Sequence, residues 1–228
     1  MNYKDVQNIA KDTMAFARRE ILAGMTLRGL RSLCEQKMRE LGADSFWYYG
    51  IGALVFSGDE TSLSVSGSQY QTGDRTIGET DIVTIDLSPQ CGGVWGDFAR
   101  TIVIESGRAA DCEEIASAEW KRGIAAEKML HAEMCRFVSP RTTFAELHWH
   151  MNEAVVRSGF VNLDFKGNLG HSIARRKEER IYIEEGNGAR LGDVPFFTFE
   201  PHIGAAGSPF GSKREDIYYF DGGELRRL

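Results

Sequence analysis

The chain has 228 residues, a formal net charge of -6, 42% hydrophobic and 26% charged residues, and no basic run beyond Arg175-Arg176-Lys177. That length suits one domain, and such a charge pattern leaves no electrostatic footprint for nucleic acid or anionic lipid. No apolar run of about 18 residues is available to span a bilayer, Met1 to Gln7 lack the apolar stretch of a signal peptide, and the four cysteines show no Cys-x-x-Cys spacing, so a cytoplasmic protein with reduced thiols is expected.

Val6, Ile9, Ala10, Phe16, Ala17 and Ile21 recur at helical spacing, and Gly24 closes that first helix. Thr26 predicts the N-cap of a second, with Leu27, Leu30, Leu33, Cys34, Met38 and Leu41 on one face before Gly42 ends it. Phe46 to Phe56 reads as a strand, Ile82 to Leu87 as a buried strand, and Val94 to Ile104 as its partner. A long helix is expected from about Ala110 to Phe137, with Ile115, Ala118, Ile124, Ala125, Met129 and Ala132 facing inward. Thr143-x-x-Glu146 is a capping box for a helix ending near Gly159, and strands return around Phe196 to Glu200 and Glu215 to Phe220. An offset of 117 residues aligns Thr26 with Thr143, Leu30 with Leu147 and Gly42 with Gly159, consistent with two pseudo-symmetric halves and a site between them.

Acids interrupt these apolar strands. On Ile82 to Leu87 the alternation sets Val83, Ile85 and Leu87 on one face and leaves Asp86 beside Ile82 and Thr84 on the other. Folding the following segment about Cys91-Gly92 sets Asp86 opposite Asp97, and the midpoint between Glu200 and Glu215 falls at Gly207-Ser208, within the turn-rich stretch His202 to Ser212. Opposed residues of an antiparallel pair have Cβ atoms about 4.5 to 5.5 Å apart, so each pair needs protons, solvent or a cation. The bland alternative is an arginine beside each acid, from Arg100, Arg175 or Arg214. His171, flanked by glycine in Gly167-Asn168-Leu169-Gly170-His171-Ser172, adds an imidazole. His148 and His150 lie two apart on a helix and point in different directions, and Cys91 at a hairpin tip points away from the acids, so neither is read as a ligand. Phe46-Trp47-Tyr48-Tyr49 reads as core before pocket lining.

Thr84-Ile85-Asp86-Leu87, Gly96-Asp97-Phe98-Ala99-Arg100-Thr101, Gly170-His171, Phe197-Thr198-Phe199-Glu200-Pro201 and Arg214-Glu215-Asp216, in this order, resemble the metallopeptidase family of methionine aminopeptidases and prolidases. The resemblance runs from the N-terminal helices to Leu228. It implies the α+β pita-bread (creatinase/aminopeptidase) fold, two pseudo-symmetric halves with a curved antiparallel sheet covered by helices. Residues 1–228 would then be a single catalytic domain without an extra N-terminal domain. It also implies that Asp86, Asp97, His171, Glu200 and Glu215 hold two divalent metal ions (Mn, Co, Fe or Zn). Asp97 and Glu215 would bridge them, Asp86 would complete one, and His171 with Glu200 the other. A metal-bridging hydroxide would attack the C-N bond of a small peptide or amide substrate, with Glu200 as the catalytic residue that carries its proton to the leaving nitrogen.

Two substrate-contacting histidines of that family are missing. Gly58 to Ser68, where the first is expected, contains none, and Glu178 stands where the second would fall. Losing one oxyanion donor costs on the order of 10² to 10³ in rate, so Glu178, Arg175 and His202 are the candidate substrate-contacting replacements. Three readings stay open: an aminopeptidase or Xaa-Pro dipeptidase-like hydrolase, a metal-dependent enzyme on a non-peptide amide or amidine, and a non-catalytic peptide-binding relative. Homodimerisation is left open as well.

Overall fold

The computed structural model describes residues 1–228, beginning with α1 (Tyr3–Glu20) and α2 (Leu27–Glu40). Asn2 and Asp5 cap α1 reciprocally, and the Thr26 hydroxyl accepts from the Gly29 N–H at the start of α2, satisfying donors that have no partner within a helix. The strands that follow are β1 (Ser45–Phe46), β2 (Ala53–Ser57), β3 (Asp81–Leu87), β4 (Pro89–Cys91), β5 (Val94–Trp95), β6 (Phe98–Glu105) and β7 (Arg108–Ala109). An antiparallel sheet of order β2-β3-β6-β7 forms from them. The apolar faces of α1 and α2 cover it through Ile9, Met14, Leu30, Met38, Val83 and Ile85.

The second half repeats the plan with α3 (Ala118–Phe137), α4 (Phe144–Arg157), β8 (Phe160–Asn162), β9 (Phe197–Phe199), β10 (His202–Ala205), β11 (Ser212–Lys213), β12 (Asp216–Asp221) and β13 (Glu224–Arg227). Its antiparallel sheets, β11-β10-β8 and β13-β12-β9, share a separate core that includes Leu130, Met134, Leu147, Met151, Phe197 and Phe199. Both bounds of α2 and α4, and the C-terminal ends of α1 and α3, coincide at the 117-residue offset, with threonine N-caps at Thr26 and Thr143. The architecture is the expected α+β pita-bread fold. No helix is long and apolar enough to cross a membrane, and all four cysteines are free.

Several expected elements are shifted. The single strand foreseen over Phe46 to Phe56 is broken by a turn in which Tyr49 and Gly50 take φ of 56° and 73°. α3 starts at Ala118 on a Ser117 cap instead of near Ala110, and Ile115 is buried in the turns before it. Its inward face carries Gly123, Ala126, Glu127, Leu130, His131 and Met134, while Ala118, Ala125 and Ala132 are exposed. An apolar pattern cannot find that face, because two of its members are polar and are accepted into the interior by distant partners. Thr101 donates to Glu127 at 2.6 Å, and His131 Nδ1 lies 2.8 Å from the Tyr218 hydroxyl.

The acid ladders divide similarly. β3 pairs with β6 so that Asp86 faces Ala99, and the hairpin turns on Gly92-Gly93, both at positive φ, instead of on Cys91-Gly92. Two consecutive residues at positive φ suit the two-residue turn that matches strand twist. Asp97 is therefore diagonal to Asp86 on the same face, not directly opposite. In the other half Asp216 pairs with Phe199 and His202 with Lys213, a common register that sets Glu200 opposite Glu215 as expected.

Candidate metal centre

The two halves meet where the extended segment of Lys213 to Asp216 lies along β6. The Glu215 N–H donates to the Ala99 carbonyl at 3.0 Å, Arg100 Nη1 donates to the Glu215 carbonyl at 2.6 Å, and the Lys213 N–H donates to Thr101 Oγ1 at 2.8 Å. Asp97, just before β6, is held by Gln7 of α1. Its N–H donates to Gln7 Oε1 at 2.8 Å, and Gln7 Nε2 donates to its carbonyl at 2.7 Å. Sequence reading passed over Gln7, although a fully buried glutamine inside an apolar helix face is a signal of such a duty.

His171 is placed by its neighbours on both sides. Gly170 has φ of 136°, and a Cβ there would run into the Thr198 carbonyl oxygen, so only glycine fits. The His171 N–H donates to Thr198 Oγ1 at 3.0 Å, and Nδ1 lies 3.0 Å from the Ser172 carbonyl. A carbonyl only accepts, so the proton sits on Nδ1 and the Nε2 lone pair faces the acids.

On that side the ligand atoms of Asp97, His171 and Glu215 all lie within 4.8 Å of one another. His171 Nε2 is 3.5 Å from Asp97 Oδ2 and 3.8 Å from Glu200 Oε1. Glu215 is 1% exposed, and neither of its carboxylate oxygens has a hydrogen-bond partner. Burial, followed by the Asp86 charge for Asp97 and the Asp97 charge for Glu215, holds both carboxyls well above the usual range. Burial and then the Arg180 charge push His171 down to about 3, leaving the imidazole neutral. A neutral imidazole beside two buried carboxylates, one of which, Glu215, has no hydrogen-bond donor on either oxygen, is a ligand set short of a cation. Its oxygen and nitrogen donors fit a divalent Mn, Fe, Co or Zn ion.

The remaining two acids are differently served. Lys213 Nζ lies 2.6 Å from Asp86 Oδ2 and 3.1 Å from Glu200 Oε2. Burial disfavours the ammonium, but the carboxylates of Asp86, Glu200 and Glu215 outweigh it and raise the lysine pKa well above its ordinary value. Glu200 is itself raised, by burial first, with Lys213 opposing. The arginines weighed as partners go elsewhere: Arg100 and Arg214 pair with Asp216 at 2.7 and 3.4 Å, and Arg175 is exposed.

A cavity of about 600 Å³ opens over these groups, with Asp86, Asp97, His171, Glu200 and Lys213 in its wall. Two of the expected substrate residues do not reach it: Arg175 is exposed, and Glu178 is exposed and ion-paired to Lys177. Glu178 sits in the short exposed turn Lys177–Glu179, and Arg175 just before that turn's Arg176 cap. His202 does line the cavity, but its Nε2 is held by the Thr61 carbonyl at 2.7 Å, so it anchors the Gly58–Ser62 turn instead of swinging inward. Arg180, missed in the sequence, enters instead. Its guanidinium lies 4.9, 5.6 and 5.3 Å from the ring centres of Trp47, Tyr48 and Tyr182, and Nε donates to the Lys177 carbonyl at 2.8 Å. Trp47 and Tyr48, expected as core, line the cavity, and Trp47 also stacks on Trp95 and meets His171 edge-on at 5.6 Å. His150 stacks on Phe137, away from the acids.

The sequence profile of metallopeptidase family M24 matches residues 2–221. A methionine aminopeptidase of Helicobacter pylori is 25% identical over 206 residues, which is 86% of this chain and 75% of that protein. Among solved structures, an X-Pro aminopeptidase from Thermotoga maritima superposes with a TM-score of 0.82 at 21% identity, covering 99% of this chain and 58% of that one. The prolidase from Pyrococcus furiosus gives 0.76 at 21% identity, over 99% and 61%. A methionine aminopeptidase from Thermotoga maritima gives 0.79 at 16% identity, over 99% and 94%. This chain thus spans about three-fifths of the first two solved proteins and nearly all of the third. At these identities the structural likeness shows the fold alone.

Proposed function

Because this chain belongs to metallopeptidase family M24, we propose that it is a metal-dependent hydrolase that cleaves the C-N bond of a small peptide or amide, in the manner of an aminopeptidase or Xaa-Pro dipeptidase. The observation that carries the reading is the convergence of Asp97, His171 and Glu215, with the Glu215 carboxylate buried and without a donor. A divalent ion bound there supplies Lewis-acid activation of water and of the scissile carbonyl. Of the two ions expected from the sequence, this donor geometry supports one, on Asp97, His171 and Glu215.

The chain's own side chains account for the other requirements. Glu200 Oε1 faces His171 at 3.8 Å, and its raised pKa suits a carboxyl that takes a proton from the attacking water and passes it to the leaving nitrogen. Thr198 Oγ1, 3.4 Å from the same oxygen, and Lys213 on Oε2 hold that carboxyl in place. Arg180 stands on the cavity wall against three aromatic rings, and in this reading its guanidinium is the donor that stabilises the oxygen made anionic when the carbonyl is attacked. It thereby takes over the duty for which Glu178 and Arg175 were candidates. Trp47, Tyr48 and Leu63 line the cavity and exclude water around the reacting bond.

The test is hydrolysis of a library of dipeptides, Met- and Xaa-Pro-initiated peptides and N-acyl amides by protein supplied with Mn²⁺ or Co²⁺, against the same protein in EDTA. Metal-dependent turnover that disappears in His171→Ala is expected. Turnover confined to N-acyl amides would select the non-peptide reading, and a folded, metal-bound protein inert on the whole library would overturn the proposal.

A further inference from the structure

We propose that Lys213 is the second cation of this site, so that the chain binds one divalent ion where its carboxylates would otherwise take two. The inference rests on the reading of Asp97, His171 and Glu215 as metal ligands, and it concerns the two acids left over.

Asp86 and Glu200 come from different halves of the fold and are joined by one ammonium, 2.6 Å from Asp86 Oδ2 and 3.1 Å from Glu200 Oε2. A second ion would need oxygens from these same two residues. The lysine is placed there by the fold. It is two residues before Glu215 on an extended segment, so both side chains leave the backbone on the same face. Its N–H is bonded to Thr101 Oγ1 at 2.8 Å, and it pairs with His202 across β10 and β11, which fixes the register. Its side chain is only 19% exposed and those of Asp86 and Glu200 are 19% and 12% exposed, so the three charges satisfy one another out of bulk water.

A second divalent ion would have to share this space with the ammonium or expel it. Like charges about 4 Å apart in a partly buried site repel strongly enough to weaken binding by a hundredfold or more. Expulsion strands a buried lysine stem and leaves no carboxylate for its head. The ammonium is ion-paired to Asp86 and Glu200 and not to Asp97 or Glu215, whose ligand atoms converge with that of His171 and are the ones left for a metal.

The experiment is Mn²⁺ titration of the full chain by calorimetry, with bound metal counted by mass spectrometry and the spin state read by electron paramagnetic resonance. Wild type is expected to hold one ion, with the hyperfine pattern of an isolated Mn²⁺. Lys213→Met should hold two, with an exchange-coupled spectrum and affinity for the second ion raised by about a hundredfold or more. Lys213→Arg should stay at one. Two ions of comparable affinity in wild type, or one ion in a Lys213→Met protein whose circular dichroism is native, would overturn the lysine assignment. If Lys213→Met does not fold, Lys213→Gln, which also removes the charge, takes its place in the same titration and is read by the same criterion. No ion in any of the three proteins would overturn the reading of the Asp97, His171 and Glu215 site and this inference with it, an outcome distinct from two ions, which removes only the role of Lys213.

Discussion

Replacing Glu215 with glutamine should stabilise the metal-free protein and abolish its stabilisation by metal, a crossover that few point mutations produce. Glu215 is 1% exposed, with neither carboxylate oxygen bonded. Burial and then the Asp97 charge raise its pKa well above the value of 4.5 that it has in an unfolded chain. A carboxyl raised in the folded state favours folding fully below its unfolded pKa, and that contribution is lost as pH rises through the folded value. An unsatisfied buried polar group costs about 1 to 3 kcal/mol, and more when charged. Glutamine keeps the shape without the charge, so a gain of about 1 to 2 kcal/mol is expected in EDTA at pH 7.5. For a chain of this size that is a rise in Tm of roughly 2 to 8 °C, since each kcal/mol shifts Tm by about 2 to 4 °C. An ion at about 1,000 times its Kd adds about 4 kcal/mol. Wild type should therefore gain about 8 to 16 °C on Mn²⁺ addition, and Glu215→Gln close to nothing. Thermal unfolding by circular dichroism, with and without EDTA at pH 5 and pH 7.5, reads both effects, and the EDTA advantage of the variant should shrink at pH 5. If Glu215→Gln is no more stable than wild type in EDTA, or if Mn²⁺ raises both melting points equally, the carboxylate is satisfied in a way this structure does not contain, and the metal assignment fails with it.

Two further outcomes follow from charges that sequence reading passed over. Arg180→Met should lower kcat/KM by about 10² to 10³ while leaving metal binding intact, with little rescue by Arg180→Lys because a compact ammonium stacks poorly on the three rings. Steady-state kinetics beside a metal titration check this, and unchanged kcat/KM would remove Arg180 from the reaction. Glu127, raised to about 7 mainly by burial against the opposing Thr101 hydrogen bond, favours folding below its unfolded pKa of 4.5 and loses that contribution as pH rises through the folded value. Urea unfolding should show the stability of Glu127→Gln relative to wild type growing by about 3 kcal/mol between pH 4.5 and 7.5. A difference that does not change with pH would refute the shift.

Legibility in the sequence followed the range of the interaction. Thr26 and Thr143 mark the starts of α2 and α4 because a cap is made by residues three apart. Gly207-Ser208 centres the ladder that opposes Glu200 to Glu215 because a hairpin turn carries its register outward by simple counting. The same counting failed for Asp86 and Asp97 because Gly92-Gly93, not Cys91-Gly92, supplies the two positive-φ residues, which moves the pairing to Ala99. The inward face of α3 was misread because Glu127 and His131 look polar until Thr101 and Tyr218 meet them.

By itself the chain determined which residue types could bind a metal, and their order, together with the caps and turns that build two similar halves. Tertiary structure decided which of those acids stay bare. Gln7 reaches Asp97 across 90 residues, and Lys213 reaches Asp86 across 127. Contacts of that separation leave no periodic or local trace, because they are selected by the packing of two halves against each other. The balance among an imidazole, an ammonium and four carboxylates is therefore settled only when the chain has closed around them.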